Sequence, residues 1–334
     1  MRGVLDGFNG LKALVVGDVM IDAYMKGVIE RMSPEAPVPI VRLNGRFFRL
    51  GGAANVALNL KALGAIPFLC SVIGDDEKGR ELLSEMERQG LPGGGMIASR
   101  ERVTTVKQRV LNGDRQVLRI DEEDDFDLTE QERHALLHAV EELLDSQPFD
   151  IILLQDYNKG VLSTPVIERL LSLARRHHIP VAVDPKKKNF FAYQGVELFK
   201  PNAKELREGL GVNAETLAEL QSAALQLQER LGCHYLMVTL SEQGVLILEK
   251  TAADEKVPRF LHLPAHHRNI VDVSGAGDTV LSVAALCTAL RQDARTIASL
   301  SNMAGGLVCE EAGVVPIDKD KLSNEIERLS KHHD

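Results

Sequence analysis

The sequence predicts an α/β fold: a mostly parallel sheet covered by helices on both faces, with a small β-sheet lid beside it. Three observations carry that expectation. Short apolar runs of strand length alternate with longer stretches of helical period nearly throughout. Two stretches break the alternation, one proline-rich and one with a hairpin signal, and both read as strands outside the main sheet. No segment of linker composition divides the 334 residues. The chain therefore reads as one domain, 1–334, whose lid comes from segments of about 23–50 and 103–120.

Composition narrows the function classes. Hydrophobic residues make up 44%, ample for a core. A formal charge of −9, 4% aromatics and no tryptophan argue against general binding to nucleic acid or an anionic membrane. No run of 18 apolar residues and no leader-like N-terminus is found, so a cytoplasmic protein is expected. Cys70, Cys233, Cys287 and Cys309 are far apart without metal-type spacing, and read as buried free thiols in a reducing compartment.

Residues 12–16 form a short apolar run ending at Gly17, a buried first strand. Asp18 and Asp22 follow. Ligands of α/β sheets gather beyond the strands' carboxyl ends, so either carboxylate could accept hydrogen bonds from sugar hydroxyls. A turn carboxylate facing water is the alternative. Residues 30–39 are proline-rich and cannot be a helix interior, whereas 40–43 alternate as a strand does. An inserted sheet beside a cleft suits a lid. Gly51-Gly52-Ala53-Ala54-Asn55 then opens a helix over 56–63, closed by Gly64. Small residues there let a ligand touch the backbone, and Asn55 can donate and accept; a tight helix entry is the alternative.

Residues 68–73 read as a strand and 78–89 as a helix. Two strands, 103–110 and 116–120, are joined at Asn112-Gly113, a hairpin signal. Lys107 and Arg109 share one face and form either a clamp for a substrate phosphate or a solvated strand face. An acidic turn (121–127), a helix (128–144) and a buried strand (151–154) follow, then a helix over 166–178 and a strand over 181–183. Lys159 and Lys186 lie just past strand ends, where a ligand would be. Asn202 and Glu205 are three apart at a helix start. They could hold a hydrated Mg²⁺ or form a capping box, and spacing alone does not decide. A helix (214–231), a strand (235–240), a loop at 241–244 and a strand (245–248) come next.

The chain is organised around Asp272-Val273-Ser274-Gly275-Ala276-Gly277-Asp278, which opens an apolar helix over 279–290. Backbone N–H groups at Gly275 and Gly277 can approach an anion closely, and the first helical turn adds partial positive charge. Together they make a cradle for phosphate or for the charge that grows in phosphoryl transfer. Asp278 can accept a proton from an attacking hydroxyl; alternatively it is only a helix N-cap. A helix over 296–308, a turn closed at Gly313 and a charged helix over 319–331 complete the chain.

The segments Gly51-Gly52-Ala53-Ala54-Asn55-Val56-Ala57 and 272–278, with Asn202-x-x-Glu205 between them, resemble the ribokinase-like (PfkB) carbohydrate kinases. That resemblance spans essentially the whole chain and implies a ribokinase-like three-layer α/β/α fold. Gly17–Asp22, Arg31–Pro39, Asp156–Gly160 and Asp184–Lys186 resemble the branch that phosphorylates D-glycero-β-D-manno-heptose 7-phosphate at its 1-hydroxyl. The chain shows no H-x-G-H motif, so it resembles a stand-alone kinase. By resemblance, Asp278 is the catalytic base and Gly275, Ala276 and Gly277 the anion hole. Asp18, Asp22, Gly51, Gly52 and Asn55 meet the sugar, and Asn202 and Glu205 organise Mg²⁺ and phosphates, with the metal held through water. Ser241, Gly244 and Asn302 contact ATP, and Asp272, Ser274 and Gly313 fall where some relatives bind K⁺. Arg109, Lys159 and Lys186 are candidates for the 7-phosphate by charge and placement. A homodimer through the lid sheet is expected.

Overall fold

The structure, a computed structural model, describes residues 2–113, 115–250 and 259–330. A short helix, α1 (Arg2–Gly7), leads into β1 (Lys12–Gly17). There Leu14 and Val16 enter one core while Ala13 and Val15 enter the other. This period-two split of an all-apolar strand is what a sheet covered on both faces requires. Next come β2 (Val19–Met32) and β3 (Pro39–Gly52), α2 (Ala53–Ala62), β4 (Ile66–Gly74), α3 (Glu77–Arg88) and β5 (Gly95–Ser99). The hairpin of β6 (Val106–Asn112) and β7 (Arg115–Glu122) follows, then α4 (Glu130–Ser146), β8 (Ile151–Gln155), α5 (Thr164–Arg176), β9 (Val181–Asp184) and β10 (Leu198–Phe199). The rest is α6 (Ala203–Leu210), α7 (Leu217–Leu231), β11 (Tyr235–Thr239), β12 (Val245–Glu249), β13 (Arg259–Leu263), α8 (Ala276–Ala289), α9 (Ala294–Val308) and α10 (Lys319–Ser330).

Among the described residues the main sheet has nine strands in the order β13-β12-β11-β10-β9-β8-β1-β4-β5. From β11 to β5 every pairing is parallel; β12 and β13 add an antiparallel edge. Helices α2, α8 and α9 bury one face, and α4, α5 and α7 the other. The fold is ribokinase-like α/β, as the sequence resemblance implies.

The small sheet has the order β3-β2-β6-β7. Its strands begin earlier than the sequence suggested, at Val19 rather than about 23, and Gly51 and Gly52 end β3. The short sequence between β1 and β2 hides the boundary, because the chain passes from one sheet to the other at Asp18 without a turn signal. Strands β5 and β13 and helix α1 were not anticipated.

Candidate active site

Four neighbouring parallel strands end side by side, and residues at or just beyond their carboxyl ends stand in a row. These are Lys200 after β10, Asp184 on β9, Gln155 on β8 and Asp18 after β1. Lys200 Nζ lies 2.9 Å from Asp184 Oδ2, with the side chains 3% and 6% exposed. Helix α8 points its N-terminus at this cluster. Gly275 is its N-cap at φ 81°, and Asp278 stands in its first turn. Asp278 is therefore not the N-cap. Its carboxylate leaves its own helix and bonds elsewhere: Oδ2 accepts from Asn55 Nδ2 (2.8 Å), and Oδ1 from the Tyr157 hydroxyl (2.8 Å) and Gln155 Nε2 (3.2 Å). Burial pushes the Asp278 carboxyl up to about 7, against the pull of the Asn55 and Tyr157 donors.

The two glycines differ in what they allow. A Cβ at Gly275 would lie 2.9 Å from Asn55 Nδ2, and the backbone is left-handed there. At Gly277 a Cβ would meet nothing closer than Asp184 Oδ2 at 3.8 Å and Lys200 Nζ at 3.9 Å. Protein packing does not demand glycine at 277; an approaching ligand would.

Asp18 is buried, and its carboxylate accepts the N–H groups of Tyr157 (2.7 Å), Lys159 (3.0 Å) and Val161 (3.1 Å). Three of the roughly four acceptor sites of the Asp18 carboxylate thus hold the loop after β8. It does not face water as a turn carboxylate. Asp22 Oδ1 instead pairs with Arg109 Nη1 at 2.5 Å across β2 and β6. A Cβ at Gly51 would strike that Asp22 carboxylate. Lys107 and Lys159 converge on Glu123, at 3.7 and 2.6 Å.

An 820 Å³ cavity runs from Tyr157, Asp184, Lys186 and Lys200 past Ala276 and Gly277 to Ser241, Gly244 and Asn302. That volume suits a nucleotide-sized ligand. Asn202 lines it but also forms the capping box of α6 with Glu205: Asn202 Oδ1 accepts from Glu205 N, and Glu205 Oε2 from Asn202 N, both at 2.8 Å. Glu205 Oε1 takes the Lys186 ammonium. Burial opposes that lysine's charge, but Asp184 and Glu205 outweigh it and raise its pKa. Asp272 ties two loops, accepting from Ser274 N (2.9 Å) and Gly313 N (3.0 Å).

The model of the pfkB family carbohydrate kinases matches residues 11–320. The chain belongs to that family. It is 37% identical over 326 residues to the bifunctional protein HldE of Pelobacter propionicus, covering 98% of this chain and 65% of that protein. With HldE of Pseudomonas syringae pv. tomato the identity is 39%, covering 98% and 66%. The chain thus spans about two thirds of the length of these curated relatives. Among solved structures it resembles phosphofructokinase-2 from Escherichia coli in complex with potassium (TM-score 0.78, 19% identity, 96% of this chain and 99% of that one). It also resembles ribokinase of Arabidopsis thaliana complexed with ribose and ATP (TM-score 0.70, 17% identity, 94% and 99%).

Ala276, Gly277, Ser241, Gly244 and Asn302 thus line the cavity, while Asp278 and Asn55, bonded to each other, are buried behind the cavity-lining Tyr157. Arg109, on β6 of the small sheet, and Lys159, in the loop after β8, are each engaged by a carboxylate. Sequence reasoning gave no role to Tyr157, Gln155, Asp184 or Lys200. The rule that ligands collect at strand carboxyl ends pointed to their segments, but not to their convergence. Among the described residues no helix is long and apolar enough to cross a membrane.

Proposed function

We propose that this kinase transfers the γ-phosphoryl group of ATP to the anomeric 1-hydroxyl of D-glycero-β-D-manno-heptose 7-phosphate. One observation carries the catalytic half: a buried carboxylate in the first turn of α8, bonded to Asn55 of the other motif. Asp278 takes the hydroxyl proton as the acceptor oxygen bonds to the γ-phosphorus. The bond to the β–γ bridging oxygen breaks and ADP leaves. The N–H groups of α8's first turn face the growing charge. The heptose reading rests on the motifs quoted above and on Arg109, Lys159 and Lys186, which can bind a 7-phosphate by exchanging their present carboxylates for it.

Mg²⁺ bound with ATP would supply neutralisation of phosphate charge. Asn202 and Glu205 fit that role through water only, since the capping box and Lys186 already engage their inward oxygens. Asp272, Ser274 and Gly313 offer carboxylate, hydroxyl and carbonyl oxygens, the hard donors a monovalent cation such as K⁺ takes. A homodimer through the lid sheet is supported by β7, an edge strand exposed along its length. A cytoplasmic setting is supported by four buried free thiols.

The test is an ADP-release screen over heptose 7-phosphate, fructose phosphates, ribose and adenosine, with Asp278→Asn as control. Heptose 7-phosphate should give the highest kcat/KM, and the control should lose about 10²–10⁴ in rate. Preference for another sugar overturns the substrate; near-normal turnover in the control overturns the base.

A further inference from the structure

We infer that the Tyr157 hydroxyl occupies the acceptor-alcohol position on Asp278, and that an incoming sugar hydroxyl must displace it before transfer. The inference rests on Asp278 being the base. Three donors enclose that carboxylate: Asn55, Gln155 and Tyr157. Asn55 and Gln155 are fully buried, and the left-handed entry of α8 at Gly275 closes over Asn55. Of the three, Tyr157 alone lines the cavity. A ligand reaching Asp278 from the cavity therefore meets the phenol first. Its O–H donates to Oδ1 at 2.8 Å, the contact a general base makes with an alcohol, typically about 2.6–3.2 Å.

The backbone of Tyr157 cannot retreat, because Asp18 holds the N–H groups of Tyr157, Lys159 and Val161. Displacement is thus a rotation of the side chain. Lys186 Nζ stands 5.4 Å from the ring centroid and favours the seated position by cation–π attraction. Asp184 and Lys200 also face Asp278, the first disfavouring and the second favouring its charge. While the phenol is seated, water cannot occupy its place on Asp278, so base-assisted transfer of the γ-phosphoryl group to water, giving ADP and phosphate, is suppressed. Tyr157 is in this sense a positioning residue that couples ATP use to the presence of a sugar.

The experiment needs no sugar. Wild-type, Tyr157→Phe and Tyr157→Leu enzymes are incubated with ATP and Mg²⁺ alone, and ADP release is followed against pH. Both variants lack the hydroxyl, and Phe keeps the ring. Acceptor-free hydrolysis should rise about two- to tenfold, the scale of one lost hydrogen bond. Its acid limb should move to higher pH, because the lost donor favoured the ionised carboxylate. Adding Asp278→Asn to Tyr157→Phe should abolish the rise. Hydrolysis at the wild-type rate with an unmoved acid limb in the folded variants overturns the proposal. A wrong sugar assignment leaves this readout intact, and a wrong base shows separately as turnover in Asp278→Asn alone.

Discussion

Asn55 Nδ2 donates a 2.8 Å hydrogen bond to Asp278 Oδ2, joining the start of α2 to the start of α8 across 223 positions of sequence. Two glycine-rich helix entries are thereby locked face to face around one carboxylate. Asn55→Ala removes a donor that favours the ionised form, so the acid limb of kcat/KM should move to higher pH. The buried carboxylate oxygen left without its partner should cost about 1–3 kcal/mol. Denaturant melts and pH–rate profiles check the two effects separately.

Activity and stability should respond to pH in opposite directions. Burial holds the folded Asp278 pKa at about 7, above the roughly 3.9 of an unfolded aspartate. Its contribution to stability is fully present below the unfolded value and is lost as pH rises through about 7. With Asp278 as the proposed base, only its ionised form can take a proton, so turnover should fall as pH drops below 7. Asp156 titrates in the same window, pushed to about 7 by burial and then by the neighbouring Asp18. Subtracting the melts of Asp278→Asn from those of the wild type isolates the Asp278 part.

Glu123 pairs with Lys159, one of the cations proposed above for the substrate phosphate. It sits 2.6 Å from Lys159 and 3.7 Å from Lys107. Glu123→Gln should lower the KM of a phosphorylated sugar several-fold and leave that of ATP unchanged. Such partly exposed pairs contribute only about 0–1 kcal/mol, so stability should barely move. Equal KM values in a steady-state comparison would remove Lys159 from the phosphate site.

The lid sheet offers its own test. Val117, Leu118 and Ile120 are exposed on edge strand β7, Leu118 at 54%. Leu118→Lys should shift a dimer toward monomer in sedimentation velocity while leaving the melt of the main domain in place. A wild-type monomer at micromolar concentration would refute the lid dimer.

What the sequence disclosed follows from how local each signal is. The helix over 276–289 and its glycine entry lie in one contiguous stretch, so Gly275, Gly277 and Asp278 were legible together. Strand β1 was legible because five of its six residues are buried in an unbroken apolar run. Strand β5, Gly95–Ser99, was not: its short mixed run follows Gly93-Gly94 and reads as loop, and pairing with β4 alone makes it a strand. Gln155, Asp184 and Lys200 each end a different strand. Their meeting depends on the order β10-β9-β8-β1, which no local pattern encodes. Asn202 and Glu205 remained ambiguous because a capping box and a metal contact ask for the same spacing.

Lys200 and Asp184 form the buried pair on which α8 rests, and they separate structural from catalytic demand. Both are nearly inaccessible, so losing either partner strands a charge, at a cost of about 3–5 kcal/mol. Lys200→Met and Asp184→Asn should each destabilise on that scale. The double variant should lose less than their sum, since it leaves no unpaired charge. Lys200 also lies 3.9 Å from where a Cβ at Gly277 would be, beneath the proposed anion cradle. If its charge stabilises transferring phosphoryl oxygens, the double variant should recover stability without recovering kcat. Recovery of both would make Lys200 a purely structural counter-ion, and calorimetry paired with turnover numbers on the same four proteins reads the difference.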